Sequence, residues 1–155
     1  MRRHDLSEVL AIEGQSFRSP WHRVFFEEEL EKTYSYLYVA RPVKQQRQRS
    51  VLGYICFWLV VDELHITNLA VHPAYRRRGI GRRLVLYALQ QACEAGSRLA
   101  VVEVRRSNAG ARLLYDRIGF EPVQERPRYY PEYRDAALVL ELDLERRWRP
   151  SSQGL

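Results

Sequence analysis

Residues 66–82, Ile-Thr-Asn-Leu-Ala-Val-His-Pro-Ala-Tyr-Arg-Arg-Arg-Gly-Ile-Gly-Arg, constrain this chain more than any other stretch. The apolar run from Ile66 to Val71 predicts a strand, and Pro73 sits in the short turn that follows it. An arginine triplet, Arg76 to Arg78, leads into Gly79 and Gly81, where a helix opens. A helix start exposes backbone N–H groups without intrahelical partners, together with the positive end of the macrodipole. Glycines let a bulky anion approach that backbone, and the arginines add mobile positive charge. The segment therefore reads as a seat for a di- or polyphosphate.

Two common phosphate loops fail against it. A dinucleotide fingerprint, G-x-G-x-x-G, needs a third glycine where Leu84 stands, and no G-x-x-x-x-G-K-[ST] run exists. What remains is Arg-x-x-Gly-x-Gly, at Arg76, Gly79 and Gly81. Taken alone, it is equally a basic loop that caps a surface helix, so the rest of the chain must decide.

The chain has 155 residues, which predicts one domain, over 1–145, able to bury its own core, with a frayed tail over 146–155 anchored at most by Trp148. The N-terminus is charged with no apolar run behind it, so no signal peptide is expected. The longest apolar stretch, Val51 to Val61, is too short for a bilayer and rich in β-branched and aromatic residues, so it is a buried strand and no membrane association is expected. Cys56 and Cys93 lie apart in apolar patterns, as small core residues of a reducing cytoplasm. The histidines His4, His22, His65 and His72 show no zinc spacing, so no metal is expected. The net charge of +6 suits a polyphosphate, an acidic protein or nucleic acid. Nucleic-acid binding lacks any finger, RNP-type or helix-turn-helix motif to support it.

Along the chain, Leu6, Val9, Leu10, Ile12 and Glu13 predict an amphipathic helix capped by Asp5 or Ser7. Ser19-Pro20-Trp21 breaks the chain before an acidic helix over His22 to Lys32. Strands follow at Tyr36 to Ala40, Val51 to Val61 and Leu64 to Val71, the last two joined as a hairpin at Asp62-Glu63, with a polar loop over 41–50. The helix after Gly81 presents Leu84, Tyr87, Ala88, Ala92 and Ala95 and stops at Gly96. Arg98 to Val104 reads as a strand and Ser107 or Asn108 as the cap of a helix carrying Ala111, Leu114, Tyr115 and Ile118. Two last strands, Phe120 to Arg126 and Ala136 to Leu144, flank an aromatic loop.

The order ααβββαβαββ resembles that of the Gcn5-related N-acetyltransferases (the GNAT superfamily), and the likeness covers nearly the whole chain. The closest resemblance is to the RimI-like group, which acetylates the N-terminal alanine of a ribosomal protein. It is carried by Ser19-Pro20-Trp21, Asn68 to Pro73, Arg76 to Gly81, and Leu99 to Asn108. Leu114-Tyr115-x-x-x-Gly119-Phe120, Arg128-Tyr129-Tyr130-Pro131 and Asp135-Ala136 complete it. The resemblance implies an α/β GNAT fold, a mixed central sheet of about six to seven strands flanked by about four helices on both faces. It also implies acetyl-CoA as co-substrate, a cytoplasmic enzyme, and the N-terminus of a protein as acceptor.

Residue by residue, the resemblance implies that Leu69, Ala70 and Val71 hold the acetyl-pantetheine arm through their backbone. Arg76, Arg77, Arg78, Gly79, Ile80, Gly81 and Arg82 would cradle the pyrophosphate, and Asn108 would touch the cofactor. Asn108 reads equally well as a helix N-cap. Glu103 is a carboxylate on an otherwise apolar strand: either a strand-end acid, solvated or paired with Arg105, or the general base acting on the amine through water. Tyr115 lies on the inward face of its helix, where core packing is the ordinary role of an aromatic; the resemblance makes it the general acid for the departing thiolate. Phe17, Trp21, Tyr129, Tyr130 and Tyr133 either pack among themselves or wall a groove for a peptide's first residues. The same core would also serve a lysine or small-molecule amine, or a non-catalytic acyl-CoA-binding module.

Overall fold

The computed structural model describes residues 1–43, 50–130 and 135–146. Its elements run α1 (Leu6–Ser16), α2 (Arg23–Glu31), β1 (Ser35–Ala40), β2 (Gly53–Val60), β3 (Glu63–Val71), α3 (Ile80–Glu94), β4 (Leu99–Arg105), α4 (Ala109–Ile118), β5 (Glu121–Tyr130) and β6 (Asp135–Asp143). The sheet has six strands in the order β1-β2-β3-β4-β6-β5. It is mixed, because β3 pairs parallel with β4 while β1–β2, β4–β6 and β5–β6 are antiparallel. Among the described residues, six strands and four α-helices in this order match the expected α/β architecture.

Chain contacts divide the molecule into two compact units, Met1–Trp58 with Asn68–Tyr87, and Leu59–Thr67 with Ala88 onward. In the first, Leu6, Val9 and Ile12 of α1 are buried with Phe26, Leu37, Val51, Tyr54, Cys56 and Ala70. Each large apolar side chain there contributes about 1.5–3 kcal/mol over the exposed state. Helix α2 is pinned by Glu29, whose carboxylate accepts from Ser35 Oγ at 2.5 Å, Trp58 Nε1 at 2.7 Å and the Lys32 ammonium. Burial pushes the Glu29 carboxyl up, but those hydrogen bonds outweigh it and leave it below its ordinary value.

In the second unit, β4 buries Ala100, Val102 and Val104 in strict alternation. Strand β6 buries Ala137 to Leu140 and Leu142 between β4 and β5. Strand β5 is the edge, exposed from Glu121 to Pro127, with two register shifts and two prolines. Prolines and bulges of this kind keep an edge from pairing with other chains.

The structure corrects several boundaries. The β2–β3 turn falls at Val61–Asp62 rather than Asp62-Glu63, with Val61 at φ 55° and 97% exposed. Glu63 is a strand residue opposite Leu99, and that register keeps Leu64, Ile66, Asn68 and Ala70 on the buried face. Helix α3 buries Leu84, Val85, Ala88, Leu89 and Ala92, whereas Ala95 lies beyond its end and is exposed. Asp5 stands at the N-cap of α1 but makes no side-chain cap bond; its carboxylate instead takes the Arg2 N–H at 2.7 Å and the Arg41 guanidinium. The expected tail, apart from Arg146, lies outside the described residues.

Candidate active site

Strand β3 leaves its parallel ladder early. The register with β4 runs over four pairs and ends at Ile66 with Val102. The backbone of Leu69, Ala70 and Val71 therefore carries polar groups that this ladder does not consume, the property a strand needs to bind an extended amide-bearing ligand. One of them is taken: the Val71 carbonyl accepts from Arg76 Nε at 3.0 Å.

Past Val71 the chain turns through Pro73–Tyr75 and enters α3 by two left-handed residues, Arg77 at φ 60° and Gly79 at φ 78°. Arg83 N–H donates to Gly79 carbonyl at 3.0 Å, the first closed turn of α3. The N–H groups of Ile80, Gly81 and Arg82 precede it and have no intrahelical acceptor. They point with the positive end of the helix, where an anion is stabilised by both donors and dipole. Arg77, Arg78 and Arg82 are exposed, and the Arg78 guanidinium lies 5.3 Å from the Tyr75 ring centre.

Two residues behind this turn were not singled out by sequence reasoning. Gly53 of β2 faces the Ala70 carbonyl so closely that a Cβ there would lie 2.9 Å from that oxygen and 3.3 Å from Val71 Cα. Ser16, closing α1, accepts Arg76 Nη2 at 3.1 Å, so Arg76 joins the turn to α1 instead of extending freely. Neither residue type announces such a role, since each depends on which strand or helix lies alongside.

Glu103 and Tyr115 belong to the second unit. Glu103 lies on β4 opposite Val139, its side chain 30% exposed, and accepts from Arg126 Nη1 at 3.3 Å. Arg126 reaches Glu103 from β5, with β6 lying between β4 and β5. Tyr115 is 2% exposed, its ring edge-on to Phe120 at 5.2 Å. Burial pushes its phenol well above the ordinary value, so it keeps its proton at working pH. Asn108 caps α4, its Oδ1 accepting Ala111 N–H at 3.1 Å. The loop that carries it is clasped to β6: the Ser107 hydroxyl donates to the Asp135 carboxylate, and Arg106 N–H donates to Ala136 carbonyl at 2.9 Å.

Phe17 and Trp21 are half-buried in the α1–α2 connection and pack on the first unit's core, with the Trp21 and Phe26 rings 5.3 Å apart. Tyr129 and Tyr130 lie on β5; their side chains and the whole of Tyr133 fall outside what is described. Among the described residues no three His, Cys, Asp or Glu side chains gather into a metal site, and no helix is long and apolar enough to cross a membrane.

Comparison with known proteins gives a consistent result. The model of the acetyltransferase (GNAT) family matches residues 6–120. A Bacillus subtilis protein provisionally named a ribosomal protein bS18-alanine N-acetyltransferase is 35% identical over 141 residues, covering 90% of each chain. The Escherichia coli K12 ribosomal protein bS18-alanine N-acetyltransferase is 29% identical over 142 residues, covering 90% of this chain and 92% of that one. The crystal structure of the ribosomal-protein-S18-alanine N-acetyltransferase from Escherichia coli superposes with a TM-score of 0.81 at 25% identity, over 100% of this chain and 96% of that one.

Proposed function

This chain belongs to the acetyltransferase (GNAT) family and is an acetyl-CoA-dependent N-acetyltransferase, and from that premise we propose that its acceptor is the N-terminal alanine of a ribosomal protein, the bS18 homologue. The observation that carries the reading is β3 leaving its ladder at Ile66 and running into the Arg77–Gly79 turn and the start of α3. A thioester supplies the activated acetyl group. Leu69 to Val71 hold the amide-rich arm by backbone hydrogen bonds, and the N–H groups from Ile80 to Arg82 take the pyrophosphate. Asn108 already spends its Oδ1 on the α4 cap, which leaves its Nδ2 to donate to the cofactor.

Glu103 takes the proton that the amine must lose. An α-amino group titrates at about 7.7–8.0 and a lysine near 10.4, so about one N-terminus in ten is neutral at pH 7 against far fewer lysines. A half-exposed carboxylate acting through water is a sufficient base for the first and a poor one for the second. Tyr115, protonated at working pH, donates to the sulfur as the thiol departs. Phe17 and Trp21 wall the acceptor's first residues.

The test is incubation with acetyl-CoA and peptides beginning Ala, Ser or Met, beside the same peptides N-terminally blocked and carrying an internal lysine. Acetylation of the free Ala peptide alone is expected, and equal turnover of the blocked peptides would overturn the assignment. Intact-mass measurement of ribosomal proteins from cells with and without this protein identifies the natural target, expected as a single 42 Da (roughly one acetyl group) loss from one protein.

A further inference from the structure

The last turns of α1 hold a carboxylate that acetyl transfer does not use. Glu13 is 1% exposed and lies on the same buried face as Leu6, Val9 and Ile12. Its Oε1 accepts the Trp21 N–H at 2.8 Å. Its Oε2 accepts Asn68 Nδ2 at 3.1 Å and the Tyr54 hydroxyl. Burial drives this carboxyl above its ordinary value, and the Trp21 and Asn68 hydrogen bonds recover only part of that shift. An apolar side chain of the same volume would avoid the desolvation cost, so stability alone does not account for an acid here.

The donors come from three places: the α1–α2 connection, β2 and β3. Asn68 immediately precedes Leu69 to Val71, and Trp21 belongs to the aromatic acceptor wall. One turn further on, Ser16 Oγ donates to the Ile12 carbonyl at 2.7 Å and receives Arg76, which also holds Val71. The end of α1 is thus tied twice to the strand and turn assigned to the cofactor. Of the tied parts, β2 and β3 are also held by sheet pairing. The turn at Trp21 has no such ladder; Phe17 and Trp21 pack on the core there, and the carboxylate ties the Trp21 N–H to α1, β2 and β3 at once.

We propose that Glu13 is a positioning residue for the acceptor, fixing the Phe17–Trp21 turn against β3 so that its aromatic side chains stand at a set height beside the cofactor strand. This rests on the acceptor and cofactor assignments made above. Removing the carboxylate frees the turn while sheet pairing keeps β3 in place, so acceptor binding suffers and cofactor binding does not.

The experiment is calorimetric titration of the CoA-loaded protein with a non-reacting pair, CoA and an Ala-initiated peptide, and separately of the protein with CoA. The variants are Glu13→Met, which fills the volume, and Glu13→Gln. Glutamine accepts the Trp21 N–H through its oxygen and donates to the Tyr54 oxygen and a turned Asn68 amide, so it is the rescuing substitution. Tyr54→Phe removes one donor and leaves the Trp21 bond. In Glu13→Met the peptide Kd is expected to rise about tenfold, as for loss of a hydrogen bond to a charged group, with the CoA Kd within about twofold. Glu13→Gln and Tyr54→Phe are expected to keep peptide affinity within about threefold of wild type. Steady-state kinetics should show the same split, a raised peptide KM and a nearly unchanged kcat. An unchanged peptide Kd in Glu13→Met, equal weakening of peptide and CoA, or loss of the fold in both Glu13 variants overturns the proposal, as does a wild type that binds no peptide. A wild type that binds peptide but transfers no acetyl group to it sinks the acetyl-transfer reading and leaves the Glu13 comparison intact.

Discussion

Tyr115 and Glu103 need opposite things from their surroundings. As the proposed general acid, Tyr115 at 2% exposure holds its proton, and burial makes it a weaker acid that yields the proton only as charge builds on the departing sulfur. A general base must exchange protons with water, and the Glu103 side chain at 30% exposure can do so. Tyr115→Phe keeps the ring against Phe120 and removes only the hydroxyl, so kcat is expected to fall on the order of 10²-fold while the thermal midpoint barely moves. Unchanged kcat would make Tyr115 a core residue. Glu103→Gln removes the proton acceptor and is expected to cost about 10²-fold in kcat/KM near pH 7. That deficit should shrink as pH rises past the amine's own pKa of about 8, because the acceptor then arrives already neutral. A deficit that is flat from about pH 6.5 to about pH 9 would exclude the base role for this carboxylate. Both residues were legible by type and position: an acid on an apolar strand and a tyrosine within a helix's apolar spacing. Arg126 beside Glu103 was not, because it depends on β6 lying between β4 and β5, and chain order does not prescribe strand order. Glu13 was legible as a buried position, since it falls in the α1 apolar spacing, but its three donors come from elements distant in sequence.

At the scale of elements, the β3–α3 junction is built on two glycines for different reasons. Gly79 is needed for its φ of 78°, and a Cβ there meets nothing within 4 Å. Gly79→Ala therefore costs only backbone strain, about 1–2 kcal/mol, concentrated in the turn. Its expected effect is an acetyl-CoA KM raised on the order of tenfold with little loss of global stability, because the turn can relax by giving up its ligand geometry. Gly53 has no unusual φ but almost no space, with backbone atoms of Ala70 and Val71 in the way. Gly53→Ala must displace β3 itself, so it is expected to lower stability by about 1–3 kcal/mol and weaken acetyl-CoA together. Chemical denaturation and cofactor KM, measured on both variants, separate the two; a Gly53→Ala protein as stable as wild type would mean β2 and β3 are less closely apposed than here. Gly79 could be picked out of the sequence because glycine before a helix has a known use. Gly53 could not, since a glycine in an apolar strand gives no hint of which backbone it faces. The element order itself was readable from periodicity and caps, such as Asn108 before α4 and Gly119 after it at φ 114°. The β2–β3 turn was misplaced by one residue, because Val61 is β-branched and an unpromising left-handed residue, whereas the Asp62-Glu63 pair looks like a turn.

For the molecule as a whole, the excess of positive charge has two consequences of opposite sign. The net charge is +6, and five arginines crowd positions 76 to 83 around the α3 start. Arg76 is held by Val71 and Ser16, neutral acceptors that leave its charge intact, so all five arginines contribute to the long-range attraction for a polyanion. Surface attraction of this kind weakens as the screening length falls from about 10 Å at 0.1 M salt to about 3 Å at 1 M. The acetyl-CoA KM should therefore rise with salt, and less steeply for a dephospho-CoA thioester carrying fewer charges. An acceptor bearing lysines behind its N-terminal alanine approaches a like-charged enzyme, so screening should lower its KM over the same range. Replacing those lysines with glutamates should reverse the acceptor slope and leave the cofactor slope alone. Opposed slopes follow only if the basic turn meets the phosphates while the acceptor feels the net charge. If both KM values rose together for the lysine-bearing peptide, the acceptor would have to meet a local negative field strong enough to outweigh +6. Glu28 of α2, exposed, would then be the first place to look for it, since Glu27 is shared between Arg3 and Arg23 and Glu31 is held by Arg3.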